Sequence, residues 1–332
     1  MSSFNGVSIL GMGHAQPTTV ITNKFIEDLG VGTTAAWIEE KIGILTRVTS
    51  LPLEYIVETK NSDPRKATAV ASTSPYELGL KASQMALERA GIKGSEVGLL
   101  IVNCCTPKFI APTEFQKIAT ALNVTGSAYN VFTACPAFAL HLDFINSFRR
   151  ENLPKYVLCV STATLTHHVN YNDRTDGAIW GDGAAAWVVS TQKNGRLNLV
   201  YSSFMSDPTR CDAVVVDTFK YFRQDGRAVR NFSVMQTVKL VKQLEDRFDI
   251  NWERDIFIGH QANKTMLDQI INNREIPSSN HWYNVDRVGN QAGAGAPAVI
   301  SENWDKIKSG SKIAVAVVGA GLSWGSALFE VV

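Results

Sequence analysis

Apolar residues recur at two spacings along this chain. Over 74–90 (SPYELGLKASQMALERA) they return every three or four positions and stop at Gly91, so the pattern predicts a helix with a glycine end. Over 97–102 (VGLLIV) they run without a break, as in a strand buried on both faces. Segment 112–122 reads as helix, 128–134 as extended chain, 136–148 as helix, and 156–160 and 184–189 as buried strands. The later part repeats this grammar. There 234–248 is helical, 256–259 is a buried strand, 294–307 is helical with an interruption near Pro297, and 313–318 and 327–332 are strands. Such alternation predicts an α/β chain with parallel sheet covered by helices.

Two pairs of segments suggest a duplication. ALERAGIKGSEVGLLIV (86–102) and KQLEDRFDINWERDIFIG (242–259) each read as helix, short polar link and buried strand. GDGAAAWVV (181–189) and GAGLSWGSALFEV (319–331) each read as a glycine turn entering an apolar strand. With 332 residues the chain exceeds one ordinary core, and the pairs predict two similar halves, 1–190 and 191–332.

Composition narrows the function classes. Hydrophobic residues make up 45 % and charged residues 19 %, the balance of a soluble globular chain. With 32 basic and 31 acidic residues there is no basic stripe, which argues against nucleic acid as the main partner. MSSFNGVSILGMGHAQP has no basic stretch leading into an apolar one, so no secretory signal is expected. No apolar run approaches the roughly 18 residues of a membrane span. Five cysteines, an odd number without a CxxC pair, fit a reducing cytoplasm.

Candidate chemistry begins at Cys135, where extended chain gives way to a helix. A helix N-terminus carries partial positive charge and unpaired N–H groups, which would lower a thiol pKa and hold an oxyanion. Pro136 suits the first helical position, where no N–H is needed. That is an acyl-transfer arrangement; a buried cysteine packing a core helix is the competing reading. Cys104, Cys105, Cys159 and Cys211 lack this setting and read as packing or surface residues. A nucleophile needs a partner. His260, in GHQAN (259–263), follows a buried strand at a loop. Taken alone, it fits a structural histidine as well. His14 reads as a loop residue, His141 as helix surface, and His281 as part of a polar loop. His167 and His168 have no ligand set to complete a metal site. Asn290, in RVGNQAGAGAP (287–297), opens a small-residue run, either as an amide donor to a substrate oxygen or as an ordinary cap.

TACPAF with Cys135, GHQAN with His260 and VGN with Asn290 together resemble, in chain order, the Cys-His-Asn triad of the thiolase-fold condensing enzymes, and most closely the beta-ketoacyl-[acyl-carrier-protein] synthase III family. AAWIEEKIGILTR (35–47), WGDGAAAWVV (180–189) and VGAGLSWGSALFEV (318–331) are similar to further motifs of that family, so the likeness spans nearly the whole chain. It implies a five-layered αβαβα thiolase-like fold of two fused halves, a homodimer, and a site between the halves. It implies that Cys135 takes an acyl group from an acyl-CoA or acyl-carrier-protein thioester, and that His260 and Asn290 hold the thioester oxygen of a malonyl extender as carbon dioxide leaves. No metal or resident cofactor is implied. The oxyanion hole would use the N–H groups of Cys135 and Ala320, and Trp37 and Arg174 would sandwich the adenine of coenzyme A. Lys264 and Lys242 are candidates for the carrier's phosphopantetheine arm, with a solvated surface lysine the favoured reading of each. Thiolases differ by a second cysteine in the C-terminal glycine loop, absent here, and chalcone-type synthases by a different glycine signature.

Four departures bear on the substrate. Pro136-Ala137 follows the cysteine where the family has a small residue and glycine. Gly259 precedes His260 where proline is usual. Ala320 replaces a glycine. Ala111 occupies a position where housekeeping members carry a bulky aromatic that closes the partner's acyl pocket, which implies a primer larger than acetyl. The stretch 52–73 is longer than in those members, as in a specialised pathway. Transfer of the acyl group to an alcohol or amine, and a non-catalytic subunit of a heterodimer, are the alternatives. The intact triad argues against the second.

Overall fold

The computed structural model describes residues 6–174, 177–218 and 220–332; Met1–Asn5, the start of the N-terminal stretch read above, lie outside it. Its strands are β1 (Val7–Ala15), β2 (Thr19–Thr22), β3 (Thr46–Thr49), β4 (Leu99–Cys104), β5 (Ser127–Asn130), β6 (Tyr156–Thr164), β7 (Asp182–Ser190), β8 (Leu197–Ser206), β9 (Val214–Val216), β10 (Phe222–Gln224), β11 (Ile256–Gly259), β12 (Lys312–Gly319) and β13 (Ser323–Val331). Nine of them form one hydrogen-bonded sheet in the order β11-β12-β13-β8-β1-β7-β6-β4-β5. β2 with β3 and β9 with β10 make two small antiparallel pairs.

The long sheet is two copies of one arrangement. In the first run β5 and β6 flank β4 in parallel, β7 is antiparallel to β6, and β1 is antiparallel to β7. In the second, β11 is parallel to β12, β13 antiparallel to β12, and β8 antiparallel to β13. The strand matching β5 is reduced to one parallel bridge between Phe257 and His281. Among the described residues the runs pair with each other where Val7–Ile9 lies beside Leu197–Leu199.

Helices follow the same repetition. Pro75–Ala90 and Gly226–Arg247 cover the outer faces of the first and second run. Ala137–Asn146 and Gly295–Glu302 lie between the runs and touch both. The result is five layers, αβαβα. A helix packed between two sheets is buried on most sides, which is why Ala137–Asn146 contains Phe138, Leu142 and Ile145 at 0 % exposure. His141 on this helix, read from the sequence as a surface residue, is also fully buried: its Nε2 lies 2.9 Å from the Val131 carbonyl and its ring packs against Trp187. His14 lies within β1, and His281 is buried against Phe257.

Most predicted elements appear within a few residues of their expected limits, and Ile256–Gly259 matches at both ends. Ser74 caps its helix through a capping box with Glu77, and Gly91 closes it in the left-handed conformation. Two corrections follow from cap geometry. Pro136 occupies the cap position and Ala137 is the first helical residue. Pro297 does not interrupt its helix, because it falls in the first turn of Gly295–Glu302, where no intrahelical N–H is required.

Candidate active site

The topology gathers loops at one place. β4 and β11 are matching strands, and the central helices are matching helices. Residues just after these strands are Cys105 and His260; residues just before these helices are Cys135 and Asn290. Loops at the carboxyl ends of parallel strands, where two halves meet, commonly hold ligands. A cavity of about 640 Å³ opens there, and Cys135, His260, Asn290 and Ala320 all line it. The two halves of the chain thus contribute to one cavity.

Each residue is held by local chemistry. Thr133 N–H donates to Asn103 Oδ1 at 3.1 Å, fixing the chain two residues before Cys135. Gly319 lies against the cysteine so closely that a Cβ there would be 2.8 Å from Cys135 Cβ and 2.6 Å from Pro136 Cδ. Only glycine fits this seam, and it brings Ala320 beside the thiol. Ser323 Oγ donates to the Ala320 carbonyl at 2.6 Å and so orients that peptide. Among the described residues, no other residue accepts a hydrogen bond from the N–H of Cys135 or of Ala320. Both therefore remain available to an oxyanion.

Asn290 is clamped by its backbone. Its N–H donates to Ile179 O at 2.9 Å, and its carbonyl accepts from Gly181 N–H at 3.1 Å. Its side-chain Oδ1 accepts from Ala292 N–H at 2.9 Å. The amide orientation is thereby set, and the NH₂ group is the part left to serve the cavity. Gly289 before it has φ +76° and lies against Arg47, where a Cβ would be 2.8 Å from Arg47 Cβ. Left-handed geometry and close approach both require glycine there.

His260 follows β11. Gln261, fully buried, holds the loop by donating to Gly259 O at 2.8 Å and accepting from Asn284 N–H at 3.0 Å. Asn263 caps the next helix, Lys264–Asn273. Gly259, where proline was the family's usual residue, has Leu267 only 2.5 Å from where a Cβ would lie. His260 Nδ1 is enclosed without a partner among the described residues, which leaves Nε2 as the nitrogen able to meet a molecule in the cavity.

Burial sets the charge states. It pushes the His260 pKa down to about 4, so the ring is neutral near pH 7. It pushes the Cys135 thiol well up, with the neighbouring Cys105 adding to the rise. This corrects the expectation of a lowered thiol pKa: removal from water outweighs the helix terminus in the unliganded site. Cys105, expected to be packing alone, is itself pushed up to about 11 and packs in the same cluster as Cys135.

The rim holds other expected residues. Trp37, on helix Ala35–Ile42, lines the cavity. The Arg174 guanidinium lies 5.4 Å from the Trp37 ring centre and donates to Gly32 O. A flat ring between them would need about 7 Å, two van der Waals contacts, so the pair as it stands leaves no room for one. Ala111 is exposed on a surface loop and does not line the cavity of its own chain. Lys264 pairs with Asp268 and Lys242 with Asp246; neither lines the cavity, whereas Lys41, Arg223 and Arg230 do.

The sequence reading missed the supports. Asp182 of the glycine-aspartate-glycine turn is fully buried and accepts from Ser50 and Thr166 backbone and hydroxyl groups. Its carbonyl accepts from Gln291 Nε2, next to Asn290. An acid between two glycines at the head of an apolar strand was the available signal.

Comparisons with known proteins give the chain's relatives. The family model described as 3-Oxoacyl-[acyl-carrier-protein (ACP)] synthase III matches residues 129–208, and the model of its C terminal part matches 251–331. A beta-ketoacyl-[acyl-carrier-protein] synthase III from Synechocystis sp. is 29 % identical over 343 residues, covering 98 % of each chain. The crystal structure of 3-oxoacyl-[acyl-carrier-protein] synthase III from Aquifex aeolicus superposes with a TM-score of 0.86 at 24 % identity, covering 98 % of this chain and 100 % of that one. A priming beta-ketosynthase of a polyketide biosynthetic pathway superposes with a TM-score of 0.83 at 21 % identity, covering 99 % and 98 %.

Proposed function

The chain belongs to the 3-oxoacyl-[acyl-carrier-protein] synthase III family of condensing acyltransferases, and from that premise we propose that it joins an acyl group carried on Cys135 to a malonyl thioester with loss of carbon dioxide. The donor is an acyl-CoA or an acyl-carrier protein. Cys135 Sγ attacks the thioester carbonyl, whose oxygen takes its charge against the N–H groups of Cys135 and Ala320. The donor's thiol departs with the cysteine's proton. The malonyl thioester then places its carbonyl oxygen against His260 and Asn290. As carbon dioxide leaves, the enolate that remains is held by these donors and attacks the acyl carbon. The Cys135 thiolate is released and takes up a proton.

The observation that carries this reading is the set of neutral donors facing one cavity. The Asn290 amide is oriented by Ala292 N–H, and His260 stays uncharged at neutral pH. Neutral donors stabilise a developing enolate without trapping the malonyl carboxylate as an ion pair. A homodimer is part of the proposal. β5 is an edge strand of the sheet, and Ile110 (85 % exposed), Phe132 (58 %) and Tyr129 (45 %) are apolar groups exposed on and near it. In such a dimer Ala111 would reach the partner's acyl pocket and leave it open, favouring primers longer than acetyl. The rim cations Lys41, Arg223 and Arg230 would meet the phosphates of coenzyme A or of the carrier arm.

Carbon dioxide release tests the reading. Enzyme preloaded with octanoyl-CoA and given malonyl-acyl-carrier protein should release one equivalent per bond formed. Product without carbon dioxide would assign the site to acyl transfer onto another nucleophile.

A further inference from the structure

Arg47 stands out among the buried side chains. Its exposure is 0 %, and among the described residues it forms no ion pair. Its guanidinium spends its donors on neutral oxygens: Nη1 on Asn23 Oδ1 at 2.8 Å and Nη2 on the Ala178 carbonyl at 2.7 Å, while Nε has no partner among the described residues. Burial brings its pKa down only to about 10, so it stays charged at neutral pH. A buried charge without a counter-ion is costly, and such a residue needs a reason to be there.

Its surroundings supply one. The segment 178–181 grips Asn290 through Ile179 O and Gly181 N–H. On the other side, the chain leading to Asn290 is tied to the approach to β3: Leu45 N–H donates to Asp286 O at 2.8 Å, and Thr46 Oγ1 to Arg287 O at 2.6 Å. Gly289 lies flat on Arg47 itself. Arg47 thus joins both jaws of the clamp, touching the residue before Asn290 and bonding the 178–181 segment that holds it.

We propose that Arg47 is a positioning residue for the condensation step: it sets Asn290 in place for the malonyl carbonyl and has no part in loading Cys135. This rests on the acyl-transfer reading above and adds a division of labour to it. The guanidinium fork matches two oxygens at fixed angles, which a lysine cannot do. A shift of Asn290 by even about 1 Å would be felt at the enolate.

The test separates the two half-reactions in the full-length protein. Loading of Cys135 by octanoyl-CoA is followed by intact mass. Condensation is followed as carbon dioxide released from malonyl-acyl-carrier protein by preloaded enzyme. Arg47→Met should load within about twofold of the original protein and condense at least about tenfold more slowly. Arg47→Lys, which keeps the charge, should show the same split at smaller size, and it carries the test if the methionine variant does not fold. In an Asn290→Ala background, Arg47→Met should cost nothing further, because both act through one group. Equal losses in both half-reactions, or additive losses in the double variant, would overturn the inference while leaving acyl transfer standing. An original protein that loads no acyl group would overturn both.

Discussion

Gly319→Ala would put a methyl group into the seam between the β12–β13 turn and the nucleophile. A Cβ at 319 lies 2.6 Å from Pro136 Cδ, 2.8 Å from Cys135 Cβ and 3.0 Å from Cys135 N. Non-bonded carbon atoms settle at about 3.5–4.0 Å. The turn and the cysteine must therefore separate by roughly 1 Å, since the atoms met are backbone, a proline ring and a short side chain. Ala320 follows directly, so its N–H moves away from the place where the thioester oxygen gains charge. A misplacement of this size costs about a hundredfold in rate, in line with the loss of one oxyanion donor. Stability should fall by about 1–3 kcal/mol from overpacking, with the fold kept. The assay is a quenched time course of loading with octanoyl-CoA, read by intact mass, with thermal unfolding alongside. Loading within about threefold of the original rate in a folded variant would refute the role given to this seam.

Three further outcomes follow from the site. Asn290→Ala should leave loading of Cys135 intact and slow carbon dioxide release by about 100-fold or more, which separates the extender's donor from the nucleophile; equal loss in both steps would contradict it. Burial raises the Cys135 pKa, so its alkylation by iodoacetamide should climb about tenfold per pH unit from 6 to 9 without levelling. A plateau below pH 8 would show a thiolate already formed. Burial lowers His141, His167, His260 and His281 from 6.5 to about 4. The unfolded chain then binds protons that the folded one refuses between these values, so stability is present above pH 6.5 and lost as pH falls. Going from pH 7.5 to 5.5 should cost about 1 kcal/mol for each, read as a falling Tm; a constant Tm would contradict it.

What was legible in the sequence was what is local. Continuous apolar runs marked β4, β6, β7, β11 and β12, because strands buried on both faces have no polar side. Gly91 marked a helix end, a signal that needs only a few neighbours. Cys135, His260 and Asn290 were found by motif, and all three line the same cavity. Arg47, Asp182 and Gln291, which brace the site, were not found, since they act across the chain. Arg47 bonds Ala178, which is 131 positions away, and Gln291 bonds Asp182, which is 109 away. His141 was misread because its helix is sandwiched between sheets, a fact about layers that its own spacing does not carry. The thiol pKa was misread for a related reason: the helix terminus is local, whereas the burial that overrides it is built by both halves.

The account is tested most directly by loading. The full-length protein and Cys135→Ala would be incubated with acyl-CoAs from acetyl to dodecanoyl and with an aryl thioester, and their masses read intact and after peptide mapping. The account predicts a gain of one acyl group, mapped to Cys135 and absent from Cys135→Ala, fastest with primers longer than acetyl. A gain that survives in Cys135→Ala, or no gain from any of these donors or from their carrier-protein thioesters, would contradict it.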